Sequence, residues 1–444
     1  MHKKLFNISG MVRTIIIALF LSFSVLATEA QDYVPKIENL KARENFQQMR
    51  FGIFIHWGVY SMFGQGEWFM NNANVNHTEY AKAASAFYPH EFNAKEWVDI
   101  IKGAGAKYVC FTSRHHDGFS MFKSEQTQYN IADATPYGKD IVKMLADECH
   151  EQGMALNLYY SLLDWERQDY PVGNTGKGTG RIKGMSDMGA YVKFMKGQLT
   201  ELLANYGNIG AIWFDGYWDH DKDTVGFDWH LDELYSLIHK MQPLCLVANN
   251  HHKSPIDGED IQLFERDVPG ENHAGFSFGQ EVSKLPLETC YTMNDSWGYN
   301  CTDLNYKSVD ELIRVLVRTA GKGANLLLNV GPQPNGRFPD EAVKRLKEIG
   351  EWMRQYGETI YGTMAGEPGE QEWGTSTQKG KVLYLHVMSA KSNVINVPLK
   401  SKIKNVRTFD GKVPLKFKKS ANGAEVDLGN KPQATDFIVE IILK

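Results

Sequence analysis

The hydrophobic pattern of the chain alternates between short apolar runs and longer amphipathic segments. Apolar runs of about four to eight residues between turn-forming residues are typical of buried strands, and apolar residues that recur every three or four positions are typical of helices. The predicted strands are 50–55, 108–113, 155–160, 211–215, 244–249, 260–264, 288–293 and 324–330, and the predicted helices are 94–103, 140–152, 188–206, 232–241, 308–320 and 339–355.

This alternation predicts an α/β fold. Strands that alternate with helices form parallel sheets with right-handed crossovers, and eight such units in about 300 residues predict a closed (β/α)8, TIM-like barrel. We assign the barrel to residues 31–362. Because such barrels carry their chemistry at the carboxyl ends of the strands, the residues that follow each strand are the candidates for function.

The pattern changes at about Gly366 to short alternating runs separated by Gly, Asn, Lys and Pro. The strands predicted here are 381–388, 393–397, 413–417, 424–428 and 437–443. Short, regularly spaced strands indicate an all-β domain, and we assign residues 363–444 to a C-terminal β-sandwich packed on the barrel. A structural role and sugar binding are both compatible with such a domain.

The first 30 residues have the layout of a secretory signal peptide. Lys3, Lys4 and Arg13 precede an apolar run from 14 to 26, and small residues up to Ala30 offer a cleavage site. The run is shorter than the roughly 20 residues that a membrane-spanning helix needs, so membrane insertion is not expected. We expect export to the periplasm or the extracellular space, or to the lysosome in a eukaryote.

Composition narrows the class of partner. The chain has 444 residues, of which 23% are charged and 43% are hydrophobic, with a formal net charge of −5. These values are ordinary for a globular protein, and no strong run of basic residues favours nucleic acid or an anionic membrane as a partner. The oligomeric state is left open by the sequence.

Polar side chains stand at several of the predicted strand ends. The run AIWFDG at 211–216 delivers Asp215, and the strand at 260–264 leads into Glu265. A lone Asp at such a position commonly ends a strand in a turn. Other predicted strands lead into His56, into His115 and His116, and into Tyr160. Because these strand ends meet at one mouth of a barrel, the convergent set predicts an active site.

An Asp and a Glu at one barrel mouth can divide the work of glycoside cleavage. One attacks the anomeric carbon or activates water, and the other protonates the leaving oxygen. The histidines offer ring N–H donors that suit sugar hydroxyls, and aromatic rings offer flat faces that suit the C–H side of a sugar. The aromatic candidates are Trp57, Trp68, Phe119, Trp213 and Trp297.

A metal hydrolase is the competing interpretation, since the histidines together with Asp117 and Asp215 resemble a set of metal ligands. Adjacent histidines on a strand end are expected to project in opposite directions, however. The chain also lacks the H-x-H and H-E-x-x-H spacings. We therefore expect neither a metal nor another cofactor.

Seven separated motifs resemble those of glycoside hydrolase family 29, the α-L-fucosidases. In order, they are FGIFIHWG at 51–58, EWF at 67–69, HHDGF at 115–119, YYS at 159–161, WFDG at 213–216, SWGY at 296–299 and NLLLNVGP at 325–332. The resemblance implies an exo-acting, retaining enzyme that releases terminal α-L-fucosyl units from a fucosylated oligosaccharide or glycoconjugate. A fucosyl-enzyme intermediate would form on the nucleophile Asp215.

The resemblance also implies which residues line the fucose pocket. They are His56, Glu67, His115, His116, Tyr160 and Trp213, to which Trp68 and Trp297 are added as aromatic faces. Tyr160 is preferred to Tyr159 only by alignment to the tyrosine pair of the family. If the enzyme retains configuration, the two carboxyl groups should stand about 5 to 5.5 Å apart.

The acid/base is harder to assign from the resemblance, because the family places this residue on a loop of varying length. Glu265 matches best, since it follows a strand as the family's acid/base does, and Glu271 is the alternative. Glu288 matches a Glu that many members carry before the SWGY motif and is interpreted as structural.

The chain departs from the family pattern after the fifth strand. Many members carry an Asn-Asp-Arg run there, whose Arg contacts the sugar, whereas this chain has Asn249, Asn250 and His251. Either Arg266 or His251 is expected to take over that contact. The fucosyl linkage stays open, and the loop at 272–284 is expected to decide it. A fucose-binding protein without catalysis and a glycosidase for a related sugar such as a galactoside are the alternatives.

Overall fold

The computed structural model describes residues 33–223, 226–429 and 435–444. The predicted signal peptide at residues 1–30 therefore lies outside the described residues and stays a prediction. Within the described part of the chain, no helix has both the length and the apolar character needed to cross a membrane.

A single sheet of eight parallel strands forms the centre of the described residues. The strands are β1 (Phe51–Ile55), β2 (Tyr108–Arg114), β3 (Ala155–Ser161), β4 (Ala211–Asp215), β5 (Leu246–Asn249), β6 (Gln262–Glu265), β7 (Leu287–Thr292) and β8 (Ala324–Val330). Their order in the sheet is β5-β4-β3-β2-β1-β8-β7-β6. Strands buried on both faces read as nearly continuous apolar runs, which is why the sequence revealed them.

Helices cover the outside of this sheet. The described helices are α1 (Ile37–Met49), α2 (Phe69–Asn72), α3 (His77–Ala81), α4 (Ala94–Gly103), α5 (Ile141–Glu151), α6 (Met188–Asn205), α7 (Leu231–Met241), α8 (Val309–Gly321) and α9 (Asp340–Tyr356). Side-chain caps fix several starts: Asn93, Asp140, Asp187 and Ser308 each accept a hydrogen bond from a backbone N–H of the first turn.

The barrel has a seam between β5 and β6. The structure records no ladder between these strands, only an isolated bridge between Ala248 and Ile261. Asp260 connects the two strands. Its backbone N–H donates to the Val247 carbonyl oxygen (2.8 Å), and its Oδ2 accepts from the Val247 N–H (2.8 Å). Arg43 of α1 pairs with Oδ1 of the same carboxylate at 2.6 Å. A side chain thus takes the place of missing strand pairing.

The two connections that flank β6 differ from the others. Among the described residues, neither the β5 to β6 segment nor the β6 to β7 segment contains a helix. The 21 residues between Glu265 and Leu287 instead form an irregular loop. This stretch of the barrel mouth is therefore built from loops rather than from strand–helix units.

The barrel interior is a packed core rather than a channel. Phe54, Tyr108, Trp213 and Leu327 fill it and are nearly inaccessible to solvent. Glu288 on β7 is buried among them, where its Oε2 accepts from the Tyr108 hydroxyl (2.6 Å) and its Oε1 accepts from Trp213 Nε1–H (2.9 Å). Burial raises the pKa of Glu288 to about 7. Its place within the core agrees with a structural role.

Two antiparallel sheets follow the barrel and pack face to face. The strands are β9 (Met364–Ala365), β10 (Gly374–Lys379), β11 (Val382–Val387), β12 (Val394–Pro398), β13 (Ile403–Thr408), β14 (Phe417–Ser420), β15 (Gly423–Asp427) and β16 (Phe437–Leu443), in the orders β13-β16-β11-β10-β9 and β12-β15-β14. Trp373, Leu385, Val397, Val426 and Ile441 form the core between them. The predicted fold, a (β/α)8 TIM-like barrel followed by an all-β sandwich, is confirmed.

Candidate active site

A cavity of about 670 Å³ opens at the carboxyl ends of the barrel strands. We call the residues at or just after the carboxyl ends of β1 to β4 the first wall (His56, His115, His116, Tyr159 and Asp215), and those at or after the carboxyl ends of β5 and β6 the second wall (Asn250, His252, Glu265, Arg266 and Phe276). Glu67, Trp68, Trp213, Trp218 and Trp297 complete the lining. The cavity is of the size that small-ligand sites have.

Asp215 is the last residue of β4, and Gly216 turns the chain sharply away from the cavity with φ of +90°. A Cβ at that glycine would come within 2.9 Å of the Leu163 side chain. The carboxylate accepts from the Tyr159 hydroxyl at Oδ2 (3.0 Å) and from Trp218 Nε1–H at Oδ1 (3.3 Å). Burial, with the nearby charge of Glu265, raises the pKa of Asp215 to about 6.

Glu265 is the last residue of β6 and faces Asp215 across the cavity. Its Oε2 accepts from Asn250 Nδ2–H (2.9 Å) and lies 3.0 Å from His252 Nε2. Burial opposes ionisation, but the hydrogen bond and charge of His252 prevail and hold the pKa of Glu265 below its usual range. Asn250 Nδ2 is also 3.4 Å from Asp215 Oδ1, so one amide nitrogen lies within reach of both carboxylates.

The three histidines of the first wall are neutral. Burial lowers the pKa of His56 to about 3, and burial together with neighbouring histidines lowers the pKa values of His115 and His116 well below the usual range. A neutral imidazole has one N–H donor and one acceptor nitrogen, and the partner of one nitrogen decides the role of the other.

The ring partners determine which nitrogens face the substrate as acceptors. Asn329 Nδ2–H donates to the Trp297 carbonyl, so its Oδ1 accepts from His56 Nδ1–H (2.7 Å). Ser161 donates its hydroxyl to the Leu163 carbonyl and accepts from His116 Nδ1–H (2.7 Å). The Nε2 atoms of both histidines are therefore acceptors. The expectation that these rings offer N–H donors to a sugar is corrected by the partners that already use those N–H groups.

The two histidines of the HHD run lie in the cavity together, against the expectation from strand alternation. The strand β2 ends at Arg114, and its register against β3 shifts between Thr112 and Arg114. Such a bulge turns side chains away from the simple alternation of a strand. His115 stacks on Tyr159 with ring centroids 5.1 Å apart, while His116 Nε2 stands 3.6 Å from Asp215 Oδ2.

The structure corrects the choice between the two tyrosines of β3. Tyr159 lines the cavity and bonds Asp215, whereas Tyr160 points out of the barrel into the helix layer and donates its hydroxyl to Gln198 of α6 (2.9 Å). Neighbouring residues of a strand face opposite sides, so only one of the pair can line the mouth. Alternation from Asp215 back through Trp213 on the neighbouring strand would have selected Tyr159.

The remaining predicted lining residues lie at the cavity. Glu67 is buried and accepts from the Gly298 backbone N–H (2.8 Å), and burial raises its pKa. Trp68 stacks on Trp218 with ring centroids 5.7 Å apart. Trp213 and Trp297 also line the cavity. The pocket thus brings together all the predicted site residues except Tyr160.

Other candidates lie elsewhere. Trp57 and Phe119 are buried in the core outside the barrel strands and do not line the cavity. Glu271, the alternative acid/base, pairs with Arg318 of α8 instead. His251 is buried against Glu259 at 3.0 Å, while Arg266 lies in the cavity beside Trp297. Of the two candidates for the contact made by the family's Arg, only Arg266 lies in the cavity.

Several lining residues were not identified from the sequence. They are Asn250, Trp218 and Phe276, while for His252 the sequence alone left a place at the pocket edge and one in a solvated loop both open. The rule that residues after a strand face the mouth applies to Asn250 and would have found it. His252 and Phe276 come from irregular loops, for which no periodicity exists.

The ligand inventory for a metal does not assemble. In residues 33–223, 226–429 and 435–444, no group of three or more His, Cys, Asp or Glu side chains is placed to hold a metal ion. His115 and His116 contact each other and the aromatic rings around them rather than converging on one point with carboxylates.

Comparison with known proteins adds an independent line of evidence. A family model described as "Alpha-L-fucosidase" matches residues 20–358. The plasma alpha-L-fucosidase of Homo sapiens is 30% identical over 416 residues, which cover 81% of this chain and 79% of that protein. The alpha-L-fucosidase of Dictyostelium discoideum is 30% identical over 388 residues, or 78% of each chain.

Solved structures agree. The structure of alpha-L-fucosidase isoenzyme 1 from Paenibacillus thiaminolyticus superposes with a TM-score of 0.80 at 31% identity. The match covers 92% of this chain and 100% of that one, so it includes the barrel and the β-sandwich together.

Proposed function

The chain belongs to the α-L-fucosidase family and is a glycoside hydrolase, and on that premise we propose that Asp215 and Glu265 carry out a retaining double displacement on a terminal α-L-fucosyl unit. The resemblance noted in the sequence motifs is thus confirmed at the level of the family. The observation that carries the proposal is the single amide of Asn250 within reach of both carboxylates.

In the first step, an ionised Oδ atom of Asp215 attacks the anomeric carbon of the fucosyl unit. The bond from that carbon to the glycosidic oxygen breaks, its electron pair stays on the oxygen, and the oxygen takes a proton from Glu265. The products are a fucosyl ester of Asp215 and a free alcohol. Tyr159 and Trp218, which donate hydrogen bonds to Asp215, orient the attacking carboxylate.

In the second step, Glu265 acts as a base. Water attacks the same carbon, Glu265 takes a proton from the water, and the bond to Asp215 breaks to restore its carboxylate. Two inversions give net retention. The bridging position of Asn250 supports carboxyl groups closer together than an inverting enzyme needs, since an inverting enzyme must fit a water between sugar and base.

Sugar recognition falls mainly to the first wall. The acceptor nitrogens of His56 and His116 suit sugar hydroxyls, and buried Glu67 adds a further acceptor. The rings of Trp297 and Trp213 offer apolar faces for the C–H groups and the methyl group of fucose. We propose a fucosylated oligosaccharide or glycoconjugate as substrate, with its leaving group toward the second wall.

Release of p-nitrophenol from the aryl α-L-fucoside by the purified protein tests the nucleophile. We expect Asp215→Ala to lower kcat/KM by at least about 10⁴-fold. Asp221→Ala is the matched control, because this nearby Asp is part-exposed and pairs with Lys253 outside the cavity lining. Activity in Asp215→Ala that equals the control would disprove the assignment. Inhibition by a galactose-configured but not a fucose-configured iminosugar would reassign the sugar.

A second pair of variants tests the acid/base. On a fucosyl oligosaccharide we expect Glu265→Ala to lower kcat/KM by about 10²- to 10⁴-fold, while Glu271→Ala, which loses its pairing with Arg318 and its contact with His273, stays near wild type. Azide should restore turnover of the aryl fucoside by Glu265→Ala, because it attacks the intermediate without needing a base. Loss of activity in Glu271→Ala alone would exchange the two roles.

We also propose the boundaries and the destination of the chain: a signal peptide at 1–30, a catalytic barrel at 31–362 and a β-sandwich at 363–444. The end of α9 at Tyr356 and the start of β9 at Met364 support the second boundary. The name of the human plasma relative is in line with export. N-terminal sequencing of the protein recovered outside the cytoplasm should begin near Gln31; a start at Met1 would contradict cleavage.

A further inference from the structure

His252 and Arg266 both have left-handed backbone conformations on either side of Glu265. Their φ angles are +61° and +60°, a region that favours glycine. Side chains held in this region persist only where the surrounding structure enforces the conformation, and they concentrate at functional sites. The left-handed turn at His252 is the point at which the chain after β5 directs a ring toward Glu265.

The contacts of Glu265 are unequal at its two oxygens. Asn250 Nδ2 and His252 Nε2 both approach Oε2, at 2.9 and 3.0 Å. Across the described parts of the chain, no hydrogen bond to Oε1 is recorded. Oε2 is therefore anchored by the protein, and Oε1 is the oxygen left to exchange a proton with the substrate.

The His252 ring is itself held. One face stacks on Phe276, with ring centroids 5.0 Å apart and planes inclined by 29°. The side chain keeps 21% of its surface exposed, so it stands at the rim of the cavity rather than in the core. A pinned ring beside a carboxylate limits the rotamers that the carboxylate can adopt.

We propose that His252 is the positioning residue of the acid/base: by donating from Nε2 to Oε2 of Glu265, it fixes the carboxyl group with Oε1 free for the glycosidic oxygen. This inference rests on the proposed role of Glu265. His252 does not touch the reacting atoms; it acts through Glu265, which it both orients and stabilises as a carboxylate.

A second consequence concerns pH. The titratable and charged groups around the His252–Glu265 pair are Asp215, His56 and His116 of the first wall, Arg266 next to Glu265, and Glu67 and Cys290 of the cavity lining. In the loop that carries Phe276, Glu271 is engaged by Arg318. Asp215 and Glu265 titrate as a coupled pair that must hold one proton to react, and burial with the charge of Glu265 raises the pKa of Asp215 to about 6.

Removing His252 takes a hydrogen-bond donor away from Glu265 and an interaction that lowers the pKa of both carboxyl groups, so the pair should keep its proton to higher pH. The alkaline limb of kcat/KM, which reports the free enzyme, should therefore move upward by about one pH unit in His252→Ala. A variant that merely loosened the fold would lower kcat/KM at every pH without shifting the alkaline limb.

The deciding experiment compares two leaving groups. With a fucosyl oligosaccharide, whose alcohol needs acid assistance, we expect His252→Ala to lower kcat/KM by about 10- to 100-fold. With 2,4-dinitrophenyl fucoside, which needs no acid, kcat/KM should stay within about threefold, while kcat and KM fall together because the second step still needs Glu265 as a base.

Controls separate this role from a structural one and from the role of Glu265. His252→Gln keeps a donor and should recover most of the loss, and His273→Ala, an exposed histidine of the next loop, should match wild type. Equal losses on both leaving groups, or an unmoved alkaline limb, would overturn the proposal for His252. Near-normal cleavage of the oligosaccharide by Glu265→Ala would instead overturn the assignment of Glu265.

Discussion

The two walls of the pocket are built in different ways. First-wall side chains stand at the carboxyl ends of β1 to β4, which are tied to each other by parallel ladders, and His56, His115, His116 and Tyr159 are buried. The second wall follows β5 and β6, which lack a ladder between them, and it includes two left-handed residues and part-exposed Phe276. On the proposed roles, the sugar and the nucleophile meet side chains held by paired strands, whereas the leaving group meets side chains carried partly on loops.

The largest effect should come from removing the support beneath the first wall. Glu288→Ala leaves the Tyr108 hydroxyl and Trp213 Nε1–H as buried donors without their acceptor and opens a cavity. We expect a loss of about 3–5 kcal/mol in the free energy of unfolding. Urea denaturation measures it, with Glu288→Gln as the near-isosteric control. A loss below about 1 kcal/mol would mean that the first wall does not depend on this support.

The carboxyl group of Glu288 also makes the stability of the fold depend on pH. Burial raises the pKa of Glu288 to about 7, so the folded protein holds this proton more tightly than the unfolded chain. Its contribution to stability is full below the unfolded pKa and is lost as pH rises through about 7.

We expect the wild type to lose about 2–3 kcal/mol from this group between about pH 4.5 and 7, and Glu288→Gln to be spared that loss. Melting curves of both proteins across this range measure the difference. Parallel pH profiles for the two proteins would show that Glu288 does not titrate in the fold.

Tyr159 and Tyr160 sharpen the contrast between the inside and outside of one strand. Tyr159→Phe removes a hydrogen bond to the Asp215 carboxylate, and we expect kcat/KM to fall by about 10- to 50-fold. Tyr160→Phe removes only the bond to Gln198, and its activity should stay within about twofold of wild type at a stability cost of about 1 kcal/mol. Equal kinetic losses in both variants would refute the assignment of Tyr159 to the pocket.

The smallest effect tests the second wall. Phe276→Ala removes an aromatic face on the leaving-group side, so we expect KM for a fucosyl oligosaccharide to rise by about 3- to 10-fold while KM for the aryl fucoside changes less. Phe278→Ala is the matched control, since this ring in the same loop is 87% exposed and does not line the cavity. Equal KM changes in both variants would argue against a leaving-group contact at Phe276.

The contrast also explains what the sequence could predict. All eight barrel strands and six of the helices were found to within two residues or so at most ends, because buried strands and amphipathic helices have strong periodic patterns. Asp215, Glu265 and His56 could be placed at the barrel mouth because they end such strands or directly follow them. Tyr160 was wrongly preferred to Tyr159 for the cavity lining, because the choice relied on alignment to the family's tyrosine pair and not on strand alternation.

Other features leave no periodic trace. The helix α1 (Ile37–Met49) has a weakly amphipathic sequence and was not predicted, although its Arg43 pairs with Asp260 at the seam. In the sandwich, β9, β10 and β13 were missed, and the strand expected at 413–417 begins only at Phe417, because these strands are very short or carry polar residues that break the apolar alternation. His252 and Phe276 depend on loop conformation, which single residues do not specify.

The seam between β5 and β6 has a consequence for how this barrel could diversify. Pairing across it depends on one isolated bridge and the Asp260 side chain, so chain segments on either side can lengthen or shorten without shifting the register of the other strands. Insertions and deletions accumulate where they disturb no ladder. Descendants of this chain could therefore acquire new acceptor preferences by exchanging the whole loop between β6 and β7. Laboratory recombination at the two ends of this loop offers a direct route to altered linkage selectivity.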